Sequence, residues 1–567
     1  MSYDARPWLA SYPADVPTEF DFPQVPLTRL LDDAAAAFPA GVAIVASGET
    51  FTYGRLRDMV DRFAAALSSL GVAGGDRVAL VLPNCPQHVI AFFAVLRLGA
   101  TVVQCNPLST EAELTDQLTD CSPSVVVCLD KALDVVERLR AQVGVRHVVV
   151  TSLADYLPAA QRLRLRLPLP SARAERARLV ADVATHAGVE RFRALAEHKQ
   201  RAEQAPVDPG SAVAVLQYTG GTTGTSKAAK LSHANLVANA YQMRLWLPEA
   251  TSGRETTLAV LPLFHVYGLT LCLLTTVLLA GRLVLLPRFD LDLVFDAIDT
   301  ERPTLFPGVP PIYQALLDAP RLRRTDLRSI RACISGAMKL PVDVQERFER
   351  VTGGRLLEGY GTTETSPATH CQPLSGPRRP GTVGLPLPGT DARIVDPDDP
   401  TQEVPVGQPG ELAVRGPQVF LGYWSAGTDE QPLLADGWLL TGDIATMDEA
   451  GFFSIVDRKK DLVIAGGFNI YPAEVEEVIR SHAAVADCCV IGLPDRYRGE
   501  TVKAFVVPRP GMPLQESDIV EHCAARLSAY KVPKLVELRD DLPRTAIGKA
   551  LRRLLVAEEL AKREAAS

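Results

Sequence analysis

Between about Pro26 and Val150 the chain alternates helical periodicity with short β-rich runs, and this alternation restricts the fold more than any other feature. Leu27–Phe38 and Thr52–Leu70 carry apolar residues at helical spacing, while Val78–Leu82, Thr101–Gln104, Val125–Leu129 and His147–Val150 look like buried strands. Runs that are apolar throughout must be covered on both faces, so the pattern predicts an α/β sheet with helices packed against it. Pro83-Asn84 and Asn106-Pro107 follow strand ends, where open α/β sheets gather their ligand contacts. A second array repeats the pattern, with strands near Thr304–Phe306, Arg331–Ser335 and Arg355–Glu358 and helices Pro311–Leu317 and Val342–Thr352. From about Gly384 to Ile455 short β runs among Gly and Pro suggest a small distorted β-barrel.

The charged run Asp457-Arg458-Lys459-Lys460-Asp461 is the best linker candidate. Beyond it come helix Pro472–Ser481, strands Asp487–Ile491 and Val502–Val507, helix Glu516–Leu527, and a charged C-terminal helix. The predicted architecture is α/β. A large N-terminal domain, residues 1–456, combines two α/β subdomains with the small distorted β-barrel. A hinge at 457–461 then leads to a small mobile α+β domain over 462–567.

Chemistry concentrates in Tyr218–Lys227, which reads Tyr-Thr-Gly-Gly-Thr-Thr-Gly-Thr-Ser-Lys directly after the apolar run Ala212–Leu216. A strand feeds a loop rich in hydroxyls and accessible N–H groups with one fixed positive charge, and its natural guest is a polyphosphate. It is not a Walker A loop, because Ser226 rather than Gly precedes the lysine and Ala228 follows it. The competing reading is a Gly/Thr-rich surface turn. Ser335-Gly336-Ala337 and Gly359-Tyr360-Gly361-Thr362-Thr363-Glu364-Thr365 sit at two further strand ends. There Gly-Tyr-Gly admits close backbone approach beside an aromatic plane, and Glu364 offers a hard oxygen suited to Mg²⁺. Trp438–Asp443 places a carboxylate on a tight turn that suits a ribose diol. His265, in Pro262–Gly268 just past a strand end, is either a packed core histidine or a pocket residue.

Composition removes other classes. The net charge of -8, without long basic runs, argues against a nucleic-acid binder. The ten cysteines show no metal-ligand spacing and read as reduced, buried thiols. The N-terminus lacks an apolar signal core, and Leu269–Ala280 is too short to span a bilayer, so a soluble cytoplasmic protein is expected. Arg162–Arg178 reads either as a patch for anionic membrane surfaces or as a solvated linker with edge-strand character, and the linker is preferred. Membrane contact is then at most peripheral to the inner membrane surface. A homodimer is compatible with the chain.

Together these stretches resemble the adenylate-forming superfamily of acyl- and aryl-CoA synthetases, nonribosomal peptide adenylation domains and firefly luciferase. The resemblance covers about Leu27 to Arg553 and rests on five ordered motifs: Tyr218–Lys227, Gly359–Thr365, Thr441–Asp443, Asp457–Pro472 and Pro543–Arg553. Ala465–Pro472 and Leu527–Lys534 make the chain most similar to medium- and long-chain fatty acyl-CoA synthetases. The resemblance implies that Thr219, Gly220, Gly221, Thr222, Thr223, Gly224, Thr225, Ser226 and Lys227 hold the β- and γ-phosphates of ATP, with Thr219 and Glu364 near Mg²⁺. It implies Gly336, Glu358, Gly359, Tyr360, Gly361 and Thr363 around adenine and the α-phosphate, and Asp443 and Arg458 on the ribose. It further implies Lys460 as the hinge, Lys549 on the substrate carboxylate and α-phosphate, and His265 and Tyr267 along the acyl and pantetheine channel. The implied partners are a small-molecule carboxylic acid, ATP and coenzyme A. Ala228 departs from the family, which usually has Gly there; its methyl is tolerable if the backbone keeps a negative φ. A fatty acyl-CoA ligase is the favoured reading, against an aryl- or dicarboxylic-acid ligase and an inactive adenylate-binding protein.

Overall fold

The computed structural model describes residues 3–181, 188–219, 227–424, 432–465, 468–495, 499–545, 548 and 550–566. A seven-stranded sheet takes the strands in the order Val189–Arg191, His147–Thr151, Val125–Leu129, Arg77–Val81, Thr101–Cys105, Val213–Thr219, Lys227–Ser232. All pairs are parallel except the last, where Val213–Thr219 and Lys227–Ser232 form an antiparallel hairpin. Its central strands are buried end to end, as their unbroken Val-rich runs require.

The second sheet is built from both ends of the large unit. Hairpin Val42–Ala46/Glu49–Thr52 joins Arg282–Leu285 and Thr256–Ala259. Leu305 bridges this group to Ala332–Ser335, Arg355–Gly361, Ala368–Cys371 and Leu385–Pro386. The expected strand at Thr304–Phe306 is thus a single-residue bridge. Asn84 clips the two sheets together: its side chain donates to the carbonyls of Ala259 and Leu261 and accepts from the Leu263 N–H. Buried and fully engaged, it positions the chain leading to His265 and is not the ligand contact that its place after a strand suggests.

Helix ends follow local chemistry. Thr52 caps Tyr53–Ser69, and Ser232 with Asn235 forms a capping box on His233–Trp246. His233 accepts the Leu27 N–H at 3.1 Å and is buried, a structural role. Residues 268–278 are the expected buried apolar helix, opening as a π-type segment. Among the described residues no helix is long and apolar enough to cross a membrane. All ten cysteines are buried free thiols.

Asp391–Val395, Gly410–Arg415, Leu439–Met447 and Phe453–Arg458 form the small antiparallel β unit, tied to the second sheet through a Gly384–Phe453 bridge. The small C-terminal unit has its own five-stranded sheet and its own cores, one around Val475, Val490 and Ile519 and one around Ile491, Phe505 and Leu555. Arg162–Arg178 differs from expectation: it holds two short helices, Ala159–Arg164 and Pro170–Leu179, and no strand. Its alternating leucines do not share one buried face, since Leu165 is 6% exposed while Leu163 stands 64% exposed. Ala, Arg and Glu after Pro170 favour helix instead.

Candidate active site

The carboxyl ends of both large sheets, the antiparallel unit and the small C-terminal unit enclose a cavity of about 1390 Å³. Thr219 and Lys227 enter from the hairpin, where they are register partners and the Thr219 hydroxyl donates to the Lys227 carbonyl. The hairpin explains the loop chemistry. Lys227 opens a strand paired with Val213–Thr219, where the lysine of a Walker A loop would open a helix. Gly220, Gly221, Thr222, Thr223, Gly224, Thr225 and Ser226 themselves lie outside the described residues. Ala228 is fully buried opposite Tyr218, and its carbonyl accepts the Trp424 N–H. It has no positive φ, so the methyl is accommodated.

Gly336, Gly359, Tyr360, Gly361, Thr363 and Glu364 line the cavity from the second sheet. Gly361 has no alternative: a Cβ there would lie 1.8 Å from the Pro367 carbonyl oxygen. At Gly336 a Cβ would meet the Tyr267 ring at 3.0 Å, and that ring is fixed by hydrogen bonds from its hydroxyl to the carbonyls of Gly308 and Ile334. Glu364 accepts a hydrogen bond from Tyr423 at 2.6 Å. Lys227 in turn lies 5.4 Å from the Tyr423 ring centroid. Sequence reading did not find Tyr423, which orients the Glu364 carboxylate.

Asp443 sits one layer back. Buried at 3% exposure, it accepts from the Tyr360 hydroxyl at 2.5 Å and from Arg458 Nε at 2.7 Å. The Asp443 carboxylate raises the Arg458 pKa, while burial first, and Asp443 second, push the Tyr360 hydroxyl far up. Arg458 and Lys460 line the cavity, and burial followed by repulsion from Arg458 lowers the Lys460 pKa. Glu358 is not brought to the cavity wall. It is 5% exposed, accepts the Leu340 N–H at 3.2 Å, and is pushed up to about 7 by burial. His265 does line the cavity, half-buried, and burial holds its pKa at about 4, so it is neutral near pH 7. Lys549 lies outside the described residues; of its neighbours, Ala550 lines the cavity, and Gly548 accepts a hydrogen bond from Arg544.

The donor set suits a divalent cation. Thr219 brings a hydroxyl oxygen beside Lys227, and the hydrogen bond from Tyr423 leaves Glu364 further acceptor capacity. At the other end Met243, Val266, Leu271, Ile334 and Cys371 make the wall apolar.

Residues 31–424 match the AMP-binding enzyme family, and residues 474–549 match the AMP-binding enzyme C-terminal domain. The chain belongs to the AMP-binding enzyme family. Among AMP-binding enzymes it is 44% identical over 556 residues to a long-chain-fatty-acid–CoA ligase of Bacillus subtilis (strain 168), covering 98% of both chains. A long-chain-fatty-acid–CoA ligase of Yersinia pestis is 40% identical over 559 residues, again with 98% of each chain covered. The fold matches crystalline ATP-bound MatB from Rhodopseudomonas palustris with a TM-score of 0.79 and 31% identity, over 94% of this chain and 98% of that one.

Proposed function

We propose that the protein is an ATP-dependent acid–thiol ligase that activates a medium- or long-chain fatty acid as its acyl-adenylate and transfers the acyl group to coenzyme A. The observation that carries the reading is one cavity joining the base of the Gly/Thr hairpin, the Glu364 carboxylate and the Arg458 and Lys460 cations to an apolar wall. At about 1390 Å³ it exceeds the usual small-molecule site of about 300–1,000 Å³, which suits a nucleotide and an acyl chain held together. The relatives named as long-chain-fatty-acid–CoA ligases favour the same acid class.

A carboxylate expels oxide too poorly for a thiol to displace it. Attack of the substrate carboxylate oxygen on the α-phosphorus of ATP forms a new P–O bond while the bond to pyrophosphate breaks. The thiolate of CoA then attacks the acyl carbonyl, the C–O bond to AMP breaks, and thioester and AMP leave. Charge builds on phosphoryl and carbonyl oxygens in both steps, so fixed cations and N–H donors supply the rate. In this reading Lys227 and the loop before it hold the β- and γ-phosphates. Gly336, Gly359, Tyr360, Gly361 and Thr363 border the adenine and α-phosphate. Arg458, aligned by Asp443, meets the ribose, and Lys549 meets the developing charge at the α-phosphate. Thr219 and Glu364 would hold a Mg²⁺ ion, which when bound offsets charge on the phosphate oxygens. His265, neutral at working pH, acts as a hydrogen-bonding wall between acyl and thiol sites and not as a charge partner. Glu358 acts only by supporting the strand end. We place the enzyme in the cytoplasm; membrane contact would be peripheral, through the Arg162–Arg178 surface.

ATP–pyrophosphate exchange across a panel of fatty, aryl and dicarboxylic acids tests the proposal. Exchange driven by fatty acids of medium to long chain is expected. Exchange with aromatic acids alone moves the enzyme to an aryl-CoA ligase, and none with any acid removes the ligase reading.

A further inference from the structure

Two glutamines in the cavity are out of keeping with a buried wall. Gln104 and Gln217 are register partners on the neighbouring strands Thr101–Cys105 and Val213–Thr219, and they are 2% and 4% exposed. Both line the cavity beside Phe264 and His265. Gln217 spends its amide N–H on the Phe264 carbonyl at 3.0 Å. Among the described residues nothing pairs with its Oε1, nor with either the Oε1 or the Nε2 of Gln104. A buried amide with both ends unpaired destabilises the fold, so one kept at a cavity wall points to a guest that pairs with it.

The atoms define the guest. Two carbonyl oxygens need N–H or O–H donors, and one NH₂ needs an acceptor beside them. Phosphates and the substrate carboxylate bring acceptors only, and an alkyl chain brings neither. Adenine brings both, but in the function proposed above it lies against Gly336 and Tyr360, which belong to the second sheet. A secondary amide presents one N–H and one C=O and is the complement of a glutamine side chain. We propose that Gln104, with Gln217 beside it, is the recognition point for an amide of the pantetheine arm of coenzyme A, and so sets the preference for a pantetheine thiol over a simple one. The assignment rests on the ligase reading and deepens it. Both residues lie on the seven-stranded sheet, away from the Asp443–Arg458 pair, so the thiol would approach His265 from this side.

The test separates the half-reactions in the full-length enzyme carrying Gln104→Leu. Pyrophosphate exchange with a fatty acid is expected within about twofold of wild type, which also shows the variant folds. In the thioester step the KM for CoA and for pantetheine should rise about tenfold, the loss expected when a buried polar pair is unmade. The rate with 1-propanethiol, which has no amide, should not change, so the preference for pantetheine over propanethiol falls by the same factor. If the leucine variant does not accumulate, Gln104→Met, unbranched and of similar length without the amide, carries the same comparison. An unchanged KM for CoA, an equal loss with propanethiol, or a rise in KM for the acid or ATP instead would each overturn the assignment. Wild-type enzyme that shows no exchange with any acid would instead remove the ligase reading itself, so the two failures are distinguishable.

Discussion

Carboxylates around this cavity behave according to what faces them. Asp443 faces a guanidinium and a phenol and holds both by hydrogen bonds. Glu364 has one fixed hydrogen bond and stands at the rim, so Glu364→Ala should reduce pyrophosphate exchange strongly while leaving the thermal midpoint nearly unchanged. Tyr423→Phe should give a smaller loss that is partly restored at high Mg²⁺. Titrating both variants with Mg²⁺ checks this, and full activity of Glu364→Ala at low Mg²⁺ would exclude the carboxylate as a metal ligand. Glu358 has the Leu340 N–H and the Lys339 charge against its burial and sits at about 7, above the 4.5 ordinary for its type. The sign is therefore unfavourable to the fold. Below about pH 4.5 the group is protonated in both states and costs nothing. As pH rises to 7 the unfolded chain releases the proton that the folded one keeps, and stability falls by roughly 3 kcal/mol before levelling. Glu358→Gln can still accept the N–H but cannot ionise. Its stability advantage over wild type should be absent near pH 4.5, grow up to about pH 7 and then stay constant, as denaturation series at several pH values would show; a gap independent of pH contradicts the assignment.

At the scale of elements, local pattern told most where strands are buried on both faces. Val125–Leu129 is a strand with the bounds its apolar run suggests, and Val342–Thr352 is a helix with those its period suggests. Strand Lys227–Ser232 was not legible, because Lys-Ala-Ala-Lys-Leu-Ser has no β preference of its own. It becomes a strand by pairing with Val213–Thr219 on one side and with Gly422 and Tyr423 on the other, partners remote in sequence or beyond a loop. The same distance hid the Asn84 clip, the retreat of Glu358 behind Leu340 and the unpaired Gln104. Motifs announce the chemistry of a strand end but not which side chains the opposite sheet will cover. The Gly-Tyr-Gly strand end makes the point testable. Gly361→Ala must push a methyl into the Pro367 carbonyl and should lower the thermal midpoint sharply and abolish exchange. Gly336→Ala meets only the edge of the Tyr267 ring and should keep the fold while weakening nucleotide binding. Equal thermal midpoints for the two variants would contradict the strand geometry.

The whole molecule turns on how its two units meet. The residues flanking Lys460 are tied in opposite directions: Lys459 pairs with the buried Glu411 of the large unit at 2.9 Å, and Asp461 with Arg552 of the small unit at 3.0 Å. Lys460 therefore lies between an anchor on each body, within the short turn Lys459–Asp461. In the present arrangement Thr545 and Ala550 of the small unit line the cavity, whereas Ile470, Tyr471 and Pro472 are not among its described walls. One docking cannot present both surfaces, so we propose that the small unit turns about Lys460 between adenylation and thioester formation. Lys549 lies in sequence between the cavity-lining Thr545 and Ala550 and would serve the first step alone. Lys549→Ala should slow acyl-adenylate formation by about 10²–10³-fold, the loss typical of one transition-state charge partner, and leave thioester formation from pre-made acyl-adenylate nearly intact. Lys460→Pro should do the reverse, because a fixed φ at the pivot obstructs the second arrangement. Timing each half-reaction separately for each variant decides the matter: equal losses in both steps for Lys549→Ala would mean a permanently assembled site in which nothing turns.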